Sequence, residues 1–255
     1  MLELNWSKWL MNNMFAIIPA RKGSKGVINK NIKLLGKYPL LAYSIVVAKL
    51  AGIKNVIVST DSPKYKKIAE KYGAQVPFLR PANISRDDST DYQFIIHFLK
   101  WMKKNKINFP KYLIHLRPTT PIRDPKIIKK AIRFIKSRKD STSLRSGHKS
   151  AESFMKWFFK SKKGYFARVH RLMSAEKIDS PRQKFRPVFI PNGYVDIYKP
   201  DFIFKNKKLL GSKMLVFETP RCVEIDEIYD LKIINSIKEK NKERLNNYLN
   251  KYIKN

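Results

Sequence analysis

Three short, almost unbroken apolar runs, Phe15–Pro19, Asn55–Ser59 and Tyr112–Leu116, are separated by stretches whose apolar residues recur at helical spacing. A strand buried on both faces reads as such a run, and the helices that cover it read with a 3.6-residue period. Helices are expected over Leu40–Leu50, from Ser62-Pro63 through Lys71, over Asp91–Asn105, and from Asp124-Pro125 along Ile127, Ile128, Ala131, Ile132 and Ile135. Thr60-Asp61-Ser62-Pro63 reads as the cap of the second helix, and Asp124-Pro125 as the start of the fourth. Gln75–Leu79 reads as one further strand. This alternation requires an α/β fold, a mostly parallel sheet with helices on both faces.

After Ser137 the rhythm breaks. Residues from about 140 to 190 are polar and irregular with aromatic interruptions. Pro191-Asn192-Gly193 precedes a strand at Tyr194–Tyr198, and Val223-Glu224-Ile225-Asp226, read as extended, precedes a last helix. Residues 1–13 read as an N-terminal extension, either loose or docked through Trp6 and Trp9.

In open sheets of this kind ligands sit at the carboxyl ends of the strands. The loops there carry PARKGSKG, STDS, RPANISRDDST and RPTTPIR. The first is followed by VINKN and lacks the G-x-x-x-x-G-K-[ST] phosphate-loop pattern. Gly23, Ser24 and Gly26 nevertheless offer backbone N–H groups as a nest for phosphate oxygens. Arg21, Lys25 and Lys30 bring positive charge to the same place, which suits a triphosphate.

Other classes fit less well. No apolar stretch reaches the roughly 18 residues of a membrane span, and the single cysteine, Cys222, fits a reducing, cytoplasmic compartment. The net charge of +34 would suit a nucleic-acid partner. The lysines are dispersed, however, and form no stripe along any predicted helix, so no specific nucleic-acid partner is expected. Asp87 and Asp88 read as the cap of the next helix, and His97 and His115 as structural.

The run IIPARKGSKGVINKN resembles the signature of the sugar-acid cytidylyltransferases, the CMP-sialic acid synthetase family. The likeness continues in order through VIVSTDS, YGAQVPFLRPANIS, LRPTTPIR, PRQ, PNGYVDI and VEID, from Met14 to about Ile234. The resemblance implies a Rossmann-like nucleotidyltransferase over residues 14–255, with a dimerisation and substrate insertion at 140–190. It implies a homodimer taking CTP and an acidic sugar, with Mg2+, or Mn2+, as cofactor. Arg21, Ser24, Lys25, Lys30 and Asn31 would bind the nucleotide, with Arg80 at the cytosine. Lys30, Arg21 and Asp226 would carry catalysis. Arg117, Lys156, Arg182 and Asn192 would face the sugar, and Glu224 and Asp226 would hold the metal.

Two positions depart from the family pattern. Arg117 stands where a glutamine is usual, which leaves the sugar's identity open, including one with a second anion. Glu224 replaces the first aspartate of the usual D-x-D pair. An alternative keeps the fold with another nucleotide or sugar, and a basic nucleic-acid-binding protein ranks last.

Overall fold

The structure, a computed structural model, describes residues 13–24, 26–169, 174–237 and 240–250. The Trp6–Trp9 segment, Lys25 and His170 lie outside the described residues. Six strands form one sheet: β1 Met14–Pro19, β2 Asn55–Ser59, β3 Tyr112–His115, β4 Ser143–Lys149, β5 Phe189–Tyr198 and β6 Met214–Glu218. Their order is β6-β4-β5-β3-β1-β2, with β5 alone antiparallel to its neighbours.

Alternation along β1 explains the layers. Ala16 and Ile18 belong to a core shared with α1 (Leu40–Leu50) and α4 (Pro125–Ser137), while Phe15 and Ile17 belong to the opposite core. That second core is built on α3 (Asp91–Lys104), with Ile203 of the short helix α5 (Pro200–Asn206). Successive strand side chains point to opposite faces, so a strand covered on both sides must be apolar throughout. Burying each of these large side chains contributes about 1.5–3 kcal/mol. Helix α2 (Pro63–Lys71) joins the first core through Tyr65 and Ala69, capped by Ser62 Oγ accepting from Tyr65 N. The chain closes with α6 (Ile228–Ser236) and α7 (Lys240–Leu249), whose Leu245 and Leu249 pack on the α1 side.

Three expectations need correction. Gln75–Leu79 makes only isolated bridges, Ile57 to Gln75 and Thr60 to Leu79. Pro77 sits between them and has no N–H to give a ladder. Val223–Asp226 is not a strand; its backbone is held by Ile225 N donating to the Thr119 carbonyl at 2.8 Å. The region after Ser137 is less irregular than its composition implies, since it contains β4 and the start of β5.

Candidate active site

Because β1 lies between β2 and β3, its carboxyl end opens at the middle of the three parallel strands whose loops carry the motifs. Gly23 turns the first loop at φ 79°, in the left-handed region that glycine adopts without strain. The Lys22 N–H donates to Asp61 Oδ1 of the second loop at 2.8 Å. Asn31 Nδ2 donates to the Arg21 carbonyl at 2.9 Å and so closes the loop on itself. Gly26 presses against the Val223–Asp226 segment, where a Cβ would meet the Asp226 carbonyl oxygen at 2.5 Å. No larger residue fits there without moving that segment.

These loops wall a cleft of about 410 Å3 lined by Arg21, Ser24, Lys30, Asn31, Arg80 and Arg117, together with Asp87, Asp91 and Phe94. Two of its cations are held by exposed carboxylates on other segments. Arg21 Nη2 donates to Asp87 Oδ1 at 2.5 Å, and Lys30 Nζ to Asp226 Oδ1 at 3.0 Å. Lys30 is 11% exposed at the side chain and Asp226 75%, so the ammonium is sheltered and its partner free to move.

Arg80 is buried beneath the cleft. Its Nε donates to Ser59 Oγ at 3.1 Å and Nη2 to the Ser59 carbonyl at 2.6 Å, with the guanidinium 4.9 Å from the Phe94 ring centre. Burial draws its pKa down to about 10, so it remains a cation at neutral pH. Arg123, the last residue of LRPTTPIR, is wholly buried. It donates to the carbonyls of Tyr194 (2.7 Å), Arg117 (2.7 Å) and Gly193 (3.1 Å), and to Ser44 Oγ (3.1 Å). One side chain thus fixes the loop after β3 to the turn inside β5.

Arg117 is spent within the protein. Nη1 donates to Asp196 Oδ2 at 2.9 Å and Nη2 to Asp91 Oδ2 at 2.5 Å. Asp196 is 2% exposed at the side chain, and removing one partner from such a buried pair costs about 3–5 kcal/mol. Burial pushes the Asp91 carboxyl up, but the charges of His115 and Arg117 outweigh it and keep the group below its ordinary value. Burial holds His115 itself well below its usual range, so Arg117 supplies the charge that counts at neutral pH. His115 Nδ1 lies 3.4 Å from Tyr198 Oη, and its Nε2 has no partner.

The remaining residues named from the sequence stand apart from this cleft. The Asn192 side chain is buried. It donates to Thr219 Oγ1 at 2.7 Å and accepts from Ser146 Oγ at 3.0 Å. Lys156 and Arg182 line a separate hollow of about 640 Å3 with Trp157 and Phe158. There Lys156 Nζ donates to the Ser180 carbonyl at 3.1 Å and Arg182 Nη1 to that of Ala151 at 2.5 Å.

Asp87 was read as a helix cap, and that reading is overturned. Thr90 caps α3, its N–H donating to Gln93 Oε1 at 2.7 Å, while Asp87 turns into the cleft.

Glu224 Oε1 lies 3.4 Å from Thr120 Oγ1, and Asp226 sits on Lys30. Both offer the hard oxygen donors that Mg2+ takes. Among the described residues no group of three or more His, Cys, Asp and Glu comes together. That donor set fits an ion that draws its remaining ligands from water and phosphate, as Mg2+ commonly does.

A sheltered set of cations at the carboxyl ends of parallel strands defines an α/β protein suited to an anionic ligand. The Cytidylyltransferase family matches residues 15–179, and the chain belongs to that family. It is 38% identical over 120 residues to a CMP-N,N'-diacetyllegionaminic acid synthase of Legionella pneumophila, covering 47% of this chain and 51% of that protein. It is 30% identical over 243 residues to the post-translational flagellin modification protein B of Campylobacter coli, covering 91% and 97%. The match spans about half the length of curated relatives such as the Legionella protein and an N-acylneuraminate cytidylyltransferase of Escherichia coli. In fold it resembles a CMP:2-keto-3-deoxy-manno-octonic acid synthetase solved with CTP (TM-score 0.63, 16% identity, 88% of this chain and 97% of that one). Among the described residues no helix is long and apolar enough to cross a membrane.

Proposed function

We propose that the chain transfers CMP from CTP to the anomeric hydroxyl of a nine-carbon 2-keto sugar acid and releases pyrophosphate. The observation that carries this reading is the pairing of Arg21 and Lys30 with carboxylates on two different segments around one cleft. A triphosphate offers the same two cations more negative charge at the same distance, so it can displace Asp87 and Asp226. The relatives' own activities, as their names give them, favour sialic, legionaminic or pseudaminic acid as the acceptor.

In the reaction the anomeric oxygen attacks the α-phosphorus, the bond to the β-phosphate oxygen breaks, and the hydroxyl proton leaves to solvent. Such chemistry depends on positioning and charge neutralisation more than on covalent help from the protein. Lys30 and Arg21 supply the charge, Ser24 and the Gly23 turn offer hydrogen bonds, and Asn31 holds the loop through the Arg21 carbonyl. Lys25 would join the nucleotide-binding set. Arg80, rigid against Ser59 and Phe94, would meet the cytosine edge. Mg2+ or Mn2+, when held by Glu224 and Asp226, would neutralise phosphate charge. The single cysteine suits a cytoplasmic setting.

The test is pyrophosphate release with each nucleoside triphosphate in turn, with and without a panel of sugar acids. Release should require CTP and one acid of the panel. Release with another nucleotide, or with an aldose phosphate, would move the chain to a different reaction of the same fold.

The aromatic hairpin Phe158–Lys160 with Phe166–Arg168 leaves Phe158 62%, Phe159 63% and Phe166 51% exposed. An apolar patch of that kind marks an interaction surface, and the reading makes it the contact between two copies of the chain. Lys156 and Arg182, absent from their own cleft, would then serve the partner's sugar, with Asn192 shaping the pocket through its turn. Sedimentation at micromolar concentration should show a dimer, and Phe159→Asp should shift it to monomer with fold retained. A wild-type monomer would remove this arrangement.

A further inference from the structure

Arg117 faces the cleft and looks, by charge, like a receptor for a substrate anion. Its hydrogen bonds point elsewhere. One end of the guanidinium reaches Asp91, the first residue of α3, and the other reaches Asp196 near the end of β5. Asp196 also lies 3.8 Å from Arg145 Nε on β4 and 3.4 Å from Tyr198 Oη. Asp91 and Asp196 offset the charges of Arg117 and Arg145. The main-chain carbonyl of Arg117 is fixed as well, by Arg123 and by Ser44 Oγ at 3.2 Å. A planar fork held at both tips and at its own backbone is a strut.

What the strut holds is the far wall of the cleft. Asp91 starts the helix that carries Phe94, on which Arg80 rests, and the loop leading into it carries Asp87, the partner of Arg21. A shift of the α3 start would therefore move the contacts of two candidate nucleotide cations together.

We propose that Arg117 is a positioning residue for CTP, joining the α3 start to β5, and that its charge takes no part in binding the sugar's anion. This rests on the proposed nucleotide chemistry, so the test has one arm that does not. In the first arm, Arg117→Gln, Asp91→Asn and the double variant are melted. The double shift should fall short of the sum of the singles, because contacting residues couple and independent ones add. Additive shifts would remove the strut whatever the substrate.

In the second arm, direct CTP titration should show each single variant weakened by about tenfold, the double no weaker than the worse single, and the KM for the sugar acid unchanged. A raised sugar KM with unchanged CTP affinity would overturn the proposal and make Arg117 the anion receptor. Should Arg117→Gln not fold, Arg117→Lys keeps the charge but cannot bridge two carboxylates in the same geometry. It should bind CTP more weakly than wild type, and wild-type affinity would overturn the strut. A wild-type chain that binds no CTP would remove the functional reading, and the role of the strut in CTP affinity with it, while leaving the melting arm to judge the strut itself.

Discussion

Replacing Lys30 by alanine should lower turnover by about 10²–10³-fold, the usual cost of removing one preorganised charge from a transition state. The side chain lies in the short helical turn Lys30–Ile32, nearly buried, with its ammonium directed at the exposed Asp226 carboxylate. A sheltered charge acts more strongly on a phosphate than a solvated one, because less water screens it. The fold should survive the change. The partner left behind is solvent-exposed, and pairs with an exposed member contribute little to stability. Lys30→Met, which keeps the aliphatic stem, separates the two effects: turnover should fall as in the alanine variant while the melting temperature stays near wild type. Steady-state pyrophosphate release and a thermal melt decide it. Near wild-type turnover in the methionine variant would take Lys30 out of the mechanism.

Much of this site was legible because its parts lie in loops behind apolar strands. Phe15–Pro19, Asn55–Ser59 and Tyr112–His115 are covered on both faces, so their sequences are apolar apart from Asn55, Ser59 and His115. The loops that follow them then had to stand at one edge of the sheet. Strand β4 was missed because its buried positions are small or polar: Ser143, Ser146 and Gly147 beside a single large residue, Leu144. Ser146 is satisfied through Asn192, which only the fold brings near. Strand β6 was missed because it lies at the sheet edge and alternates between exposed and half-buried residues.

The partners of the charged residues were not legible. Arg21 meets Asp87 across 66 positions, and Arg117 meets Asp196 across 79. Local spacing placed Asp87 beside a helix start and made a cap the economical reading. In the fold Thr90 takes that role and frees Asp87 for the cleft. Arg117 lines the cleft, but its guanidinium is already paired with Asp91 and Asp196. Lys156 and Arg182 show a different limit: they line a separate hollow, and in the proposed dimer their site would draw on a second copy of the chain.

Removing divalent metal should abolish CMP transfer, and Asp226→Asn should lower it by at least about 100-fold. Outer-shell partners of metal ligands already cost 10–100-fold when changed, and Asp226 is a proposed direct ligand. The geometry gives this prediction a second consequence. Asp226 Oδ1 lies 3.0 Å from Lys30 Nζ, so in the free protein the ammonium sits where an ion would compete for the same oxygen. A triphosphate that draws Lys30 towards its own oxygens releases the carboxylate for Mg2+. Nucleotide and metal should therefore bind with positive coupling, each tightening the other by the same factor, as linkage requires. Lys30→Met, lacking the competing ammonium, should show less of that coupling. If Asp226 serves only to hold Lys30, raising Mg2+ or Mn2+ will not restore the Asp226→Asn variant. If it binds the ion, higher metal concentrations should recover part of the lost turnover, and Glu224→Gln should shift the metal requirement in the same direction. Full activity in EDTA would sink the assignment outright, and a metal requirement unchanged in both variants would move the ion to other residues.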